Sequence, residues 1–472
     1  MRPARLRTRD APEPTARADG VSSVGVGIRL HLDARTRRFR DGRILLGGSP
    51  ARLLVLGSSG VQRVDAWLAG APVAADPREQ ALARRLLDAG LVHPVADRGT
   101  FTNAEVTVVV PVKDDPDGLE RLLAAIGDVA DRIVVDDGSA TPVVKAAVRH
   151  SVARGPAAAR NAGWRRARTP LVAFLDSDTV PDPAWLDHVL PLFDDPAVAA
   201  VAPRVRSLAT GPVGAYEAWR SCLDMGPEPS AVRPDGRVRY VPSAALVVRR
   251  DALVSLGGFD EDLRYGEDVD LVWRLVAAGH TVRYQPAAVV RHKPRTTVTA
   301  WLRQRYHYGT SAAALAQRHP GMLHCAHLPR DYAAQCVVAI AGHPLVGAAP
   351  AIIAAALRAR RLHRRGIPAR AVADVTVSGQ FGLIRQVADA LRRVWWPVAL
   401  PTRRGRALLA AAWLAPVVSA LCRGPGPRAA LLRVLDDLAY GVGVWAGCAR
   451  HRTIAPLLPR LGRSRRGRTS HR

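Results

Sequence analysis

Lysine is almost missing from this chain. Only Lys113, Lys145 and Lys293 occur in 472 residues, so the 68 basic side chains that outnumber 41 acidic ones are nearly all arginine. Abundant Ala, Arg, Gly and Pro fit GC-rich coding, and part of the arginine excess is compositional. A formal charge of +27 still favours anionic neighbours: phosphate-bearing small molecules or acidic lipid heads. Cysteine is sparse, with five scattered residues and no C-x-x-C pair, which fits reduced thiols in a cytosolic compartment better than a disulfide framework. No apolar stretch follows the arginines of residues 1–20, so this segment reads as a disordered basic arm and export is not expected. No G-K-[ST] follows a glycine-rich loop and no G-x-G-x-x-G occurs, which excludes the two commonest nucleotide fingerprints. Aromatics make up only 5%, and no basic helix is interleaved with them, so nucleic acid is not an expected partner.

What is present divides the chain into parts. Residues 21–98 form a small module. In "RRFRDGRILLGGSP" two strands flank an Asp41-Gly42 turn, and Ser49-Pro50 is expected to open a helix through Leu53, Leu54 and Leu56. "DPREQALARRLLDAGLV" predicts a helix capped by Asp76, with Pro77 at its first position and Gly90 just past its end. A hairpin with about three short helices resembles a winged-helix unit of the PqqD-like kind. That resemblance implies recognition of a leader peptide, with a helical cap on the next domain as the plainer alternative.

Residues 103–310 change character. Short runs such as "VTVVVPV", "DRIVVDDGS", "LVAFLDSD" and "AVAAVAPRV" alternate with helices, as in a mostly parallel sheet covered on both faces. Residues 311–472 are rich in Ala, Leu and Arg and read as helical. Tyr332 to Leu357 carries no Asp, Glu, Lys or Arg over a length that can cross a bilayer, but its apolar content makes insertion borderline. Ala407 to Cys422 and Leu438 to Ala449 are too short to span. The arginine-rich flanks suit anionic lipid. The expectation is a cytoplasmic protein held at the inner membrane face, with a true span or a plain helical domain as alternatives.

The polar signals of the α/β block fall where ligands bind in such sheets, beyond the carboxyl ends of strands. Pro111, Lys113 and Asp114 end one strand, Asp136-Asp137-Gly138-Ser139 a second, and Asp176-Ser177-Asp178 a third. Any one of these could merely cap a following helix. Arg160, in the small-residue stretch "RGPAAARNAGW", adds charge for an anion. Glu267 and Asp268 sit in the first turn of a helix, where the dipole favours carboxylates and also keeps one fixed and ionised as a general base. His292 ends a further apolar strand.

This ordered set, with Ala159-Arg160-Asn161-Ala162-Gly163 and Gly266-Glu267-Asp268, resembles the inverting GT-A glycosyltransferases of family 2. The resemblance implies a GT-A nucleotide-diphospho-sugar transferase fold, a mixed and mostly parallel sheet with helices on both faces. It implies that Pro111 and Asp136 or Asp137 meet the nucleotide base. Lys113, Arg160 and Asn161 join the donor pocket, and Asp176 meets the ribose. Asp178 and His292 would hold Mg²⁺ or Mn²⁺ against the diphosphate, and Asp268, beside Glu267, would take the acceptor's proton. The Q-x-x-R-W signature of processive synthases is absent, since "WLRQRYHYG" only partly echoes it. The whole arrangement further resembles the mycofactocin-system glycosyltransferases. That narrower likeness implies repeated, β-linked glucose transfer from UDP-glucose to a peptide-derived redox cofactor or its precursor. A polyprenyl lipid or cell-wall glycan is the alternative acceptor.

Overall fold

The structure is a computed structural model that describes residues 24–25, 27–95, 99–330, 332–334, 336 and 344–462. The expected basic arm at residues 1–20 and part of the Tyr332–Leu357 segment lie outside the described residues.

In the front module, β1 (Leu30–Leu32) pairs with β5 (Val92–Pro94), while β2 (Arg37–Phe39), β3 (Ile44–Gly47) and β4 (Arg52–Val55) form a three-stranded antiparallel sheet. Helices α1 (Ser58–Leu68) and α2 (Pro77–Ala89) pack beside them. Asp76 does cap α2, accepting from the Glu79 amide at 2.8 Å, and Gly90 adopts the left-handed conformation at its end. The segment expected to be helical after Ser49-Pro50 is instead strand β4. Leu53 to Leu56 is a short apolar run between turns, and pairing with β3 satisfies its backbone, so the run is too short to gain from a helix. Both faces of this sheet are covered. Leu45 and Leu56 face the module's own helices, whereas Ile44 and Leu46 pack on Ile367, Ala371 and Val372 of the tail. The sheet therefore has no open face for a leader peptide among the described residues.

The central sheet runs in the order β10-β14-β11-β13-β9-β6-β7-β8. Its strands are β6 (Val106–Val112), β7 (Asp131–Asp137), β8 (Val148–His150), β9 (Leu171–Leu175), β10 (Thr179–Pro181), β11 (Val198–Ser207), β13 (Ala245–Arg249) and β14 (Thr281–His292), and β12 (Ser230–Ala231) pairs with β14. The pairs β6–β7, β7–β8, β6–β9 and β11–β14 are parallel, whereas β13 runs antiparallel between β9 and β11. Val106, Val108 and Val110 face one apolar layer and Val109 the other, which is why the strands read as unbroken valine runs. Helices α3 (Pro116–Ala125), α4 (Pro156–Trp164), α5 (Gly211–Trp219), α6 (Arg250–Leu256) and α7 (Glu267–Ala277) flank the sheet.

Helix α8 (Val298–Arg318) runs straight through the boundary expected near residue 310. It continues into the tail by packing against a partner there. The described tail helices include α9 (Pro344–Arg364), α10 (Ala369–Ala390), α11 (Arg403–Arg423) and α12 (Arg428–Arg450). Helices α8 and α12 approach backbone to backbone: a Cβ on Gly309 would lie 2.1 Å from the Tyr440 carbonyl oxygen, and one on Gly443 2.1 Å from that of Tyr306. Only glycine permits that crossing. The tail is thus part of the folded body.

Candidate functional site

Four chain segments meet beyond the carboxyl ends of β6, β7 and β9. The two aspartates of the second segment are separated by strand geometry, since neighbouring side chains point to opposite faces. Asp136 points inward, is fully buried, and binds the following loop: it accepts from the Ser139 amide (2.9 Å) and the Arg149 guanidinium (2.7 Å). Asp137 lines the crevice and accepts from the Arg154 and Gly155 amides, both at 2.8 Å. Pro111 and Lys113 line the same crevice. Asn161 does not. Its amide is fully buried, donates to Phe259 O (2.8 Å) and Glu261 (2.9 Å), and accepts from Trp164, so it secures the 259–261 loop. The reason is helical: Arg160 points to the crevice, and the next residue is turned about 100° away.

The Asp176-Ser177-Asp178 turn precedes strand β10, so the helix-capping alternative fails. Antiparallel pairing of β10 with β14 sets Thr179 opposite His292, and the Lys293 amide donates to Asp178 O at 2.9 Å. That register brings His292 Nε2 within 3.5 Å of Asp178 Oδ2, although 114 residues separate them in sequence. Burial works to raise the Asp178 carboxyl, but His292 and Arg295 outweigh it and hold it below the ordinary range. Burial opposes protonation of His292, yet Asp178 and Asp176 raise it above the usual imidazole value.

Arg160 ties the two halves together. Its guanidinium donates to Asp176 (2.7 Å) and to Glu267 (2.8 Å), with the side chain almost wholly buried. Burial alone would lower its pKa; the charges of Asp176 and Glu267 raise it, so it stays a cation. Gly266, with φ +84°, turns the chain into α7 and places Glu267 and Asp268 at the crevice. Burial and the neighbouring Asp268 push Glu267 up to about 7. Asp268 is also raised, by burial first; among the described residues it has no ion pair and accepts only from the Val269 amide (2.8 Å) and, at 3.4 Å, from the Ser243 amide.

Two His/Asp groups do not by themselves enclose a metal, and among the described residues no group of three or more His, Cys, Asp or Glu side chains converges for one. The pair nevertheless fits two adjacent positions of an octahedral ion, whose ligands lie about 3 Å apart at bond lengths near 2.1 Å. Among the described residues His292 Nδ1 is buried without a hydrogen-bond partner, and Asp178 faces the ring's other nitrogen. A divalent ion held by two protein groups must draw its other ligands from phosphate oxygens and water.

The part of the site from Pro111 to Asp178 lies within a family pattern. The model for Glycosyl transferase family 2 matches residues 107–252. The pre-mycofactocin glycosyltransferase of Mycobacterium tuberculosis is 40% identical over 467 residues, covering 92% of this chain and 98% of that one. The chain belongs to the family 2 glycosyltransferases of the mycofactocin system. The glycosyltransferase AglE of Haloferax volcanii is 25% identical over 214 residues, 42% of this chain and 69% of its own. Among solved structures, a Pyrobaculum calidifontis mannosyltransferase in complex with GDP-Man and Mn²⁺ gives a TM-score of 0.41 at 18% identity, covering 72% of this chain and 86% of that one.

Sequence reasoning missed much of the glycosyltransferase's cavity, which measures about 1830 Å³. Tyr240 and Tyr308 line it, as do Arg393, Asp436 and Tyr440 from the tail. The adjacent acids Asp436-Asp437 were the available signal, because the tail from residue 331 onward holds five aspartates and no glutamate.

Proposed function

We propose that this glycosyltransferase transfers glucose from UDP-glucose, with inversion and repeatedly, to pre-mycofactocin, and that Asp268 is the general base. The observation that carries the reading is the near-full-length likeness to a relative named for that acceptor, joined to a crevice that Asp268 lines as the one first-turn carboxylate of α7 without an ion pair among the described residues. In the step, the acceptor oxygen bonds to the anomeric carbon as the carbon–oxygen bond to UDP breaks. The acceptor's proton passes to Asp268, and the electron pair leaves with the diphosphate. Asp137, Lys113 and Pro111 form the wall for the nucleotide, and Arg160 fixes Asp176 and Glu267 on either side. Asp178 and His292 would hold Mg²⁺ or Mn²⁺, which when bound supplies positive charge to the departing diphosphate. Comparing the cofactor pool by mass spectrometry in cells with and without the protein tests the reading. Loss of a hexose-spaced ladder supports it; an unchanged ladder, or loss of a glucosylated polyprenyl lipid instead, overturns it.

A base must be ionised to act, and burial raises both first-turn carboxyls. The acid limb of the transfer rate is therefore expected above the ordinary carboxylate range, with roughly tenfold loss per unit of pH below it. A limb near pH 4 in kcat profiles would show an unperturbed carboxylate at work.

The tail carries a second proposal, association with the cytoplasmic membrane face. Among the described residues every exposed Leu, Ile or Phe lies beyond residue 350, including Phe381, Leu414 and Leu421. Helix α11, 21 residues long with a mean hydropathy of 1.6 over its most apolar window, is long and apolar enough to cross a bilayer. The helix lengthens the Ala407 to Cys422 run only by Arg403, Arg404, Gly405 and Arg406 at one end and Arg423 at the other. Arginines at 403, 404, 406, 423 and 428 frame it. Binding to anionic vesicles that weakens with salt is expected in flotation assays; equal indifference to anionic and neutral vesicles would contradict the proposal.

A further inference from the structure

The cavity is too large for the donor alone. Pockets for one small ligand hold about 300–1,000 Å³, and this one holds about 1830 Å³. Besides the donor-side residues, the cavity is lined by aromatic rings: Tyr240 from the loop before β13, Tyr308 from α8 and Tyr440 from α12.

These rings are held in place. The glycine crossing of α8 and α12 fixes Tyr440 through its own backbone. The Arg393 guanidinium lies 4.1 Å from the Tyr440 ring centre, and Arg305 lies 5.9 Å from that of Tyr308. None of the three phenol oxygens has a hydrogen-bond partner among the described residues. Burial, with the charge of Asp268 adding to it, pushes the Tyr240 and Tyr308 phenols up, so both remain donors. Phenols with flat faces, in the cavity that also holds Asp268, are suited to one kind of ligand: a ring that carries hydroxyls.

We propose that Tyr240, Tyr308 and Tyr440 form the acceptor subsite, holding a hydroxyl-bearing ring with its attacking oxygen toward Asp268, and that the C-terminal helices are thereby part of the active site. The ring is either a hydroxyl-bearing ring of the aglycone or the last sugar already attached. The inference rests on the functional reading above, because it assumes transfer to an acceptor at Asp268.

Steady-state kinetics on the full chain test it, with pre-mycofactocin and its monoglucosylated form as separate acceptors and UDP-glucose affinity measured by titration without acceptor. Tyr308→Ala and Tyr440→Ala are each expected to raise acceptor KM about tenfold or more, the scale of truncating an aromatic anchor, with donor affinity kept. Tyr440→Phe, which keeps the ring, should lose less. An effect confined to pre-mycofactocin identifies the aglycone ring, and one confined to the glucosylated form identifies the sugar. Leu431→Ala, on the exposed side of α12, is the control for the tail and should match the wild type. Unchanged acceptor KM in Ala variants that melt like the wild type overturns the subsite. If wild-type protein glucosylates neither acceptor, the functional reading fails instead.

Discussion

Asp268→Asn is expected to lower glucosyl transfer by about 10²–10⁴-fold, the usual contribution of a positioned general base. The substitution keeps shape and removes only the ability to accept a proton. UDP-glucose affinity should survive, because Asp268 contacts the Ser243 and Val269 amides and no donor-side group. Glu267→Gln acts differently. Glu267 is committed to Arg160 at 2.8 Å, so its loss frees Arg160 from one side and should cost less in rate than Asp268→Asn. Turnover with acceptor present, set beside donor titration, separates the two. Full acceptor-stimulated UDP release by Asp268→Asn would remove Asp268 from the chemistry.

Asp437→Ala is expected to destabilise the protein by about 3–5 kcal/mol, the cost of leaving buried charges without their partner. Asp437 is 2% exposed and faces Arg392 Nε (3.1 Å), Arg393 Nε (3.1 Å) and Arg433 Nη1 (2.8 Å). Arg392 and Arg433 are buried almost as deeply, whereas Arg393 is more exposed and should contribute less through screening. Burial works against ionisation of Asp437, but these arginines hold it below the ordinary carboxylate range. A depressed acid stabilises the fold at neutral pH, and that contribution disappears only as pH falls through its folded value. Urea midpoints measured at neutral pH should show the full loss. Because Tyr440 lies three residues along the same helix, Asp437→Ala should also weaken acceptor binding. A midpoint within experimental error of the wild type would mean that the cluster does not anchor the tail.

Much of the candidate crevice could be read from sequence because its parts are local. Strands buried on both faces show as valine runs, and each polar tip follows directly in the chain. Residue pairs needed geometry. Asp136 and Asp137 looked equivalent until strand alternation sent one inward, and Asn161 looked like a donor residue until the helix turned it toward Phe259. The Leu53–Leu56 run was ambiguous because four apolar residues show no period, and pairing with β3 decided it. The aromatic lining proposed for the acceptor was not legible. Tyr440 reaches the cavity only because Gly309 and Gly443 let two helices touch, a contact that spans more than 130 residues and leaves no periodic trace.

Reconstitution from pure components tests the central claim most directly. The protein, UDP-glucose, Mg²⁺ and pre-mycofactocin are incubated together, and products are read by mass spectrometry and NMR of the new anomeric centre. The account predicts successive hexose additions with β configuration, loss of product on chelation, and recovery with Mg²⁺ or Mn²⁺. An α-linked product, or transfer unaffected by chelation, would contradict it.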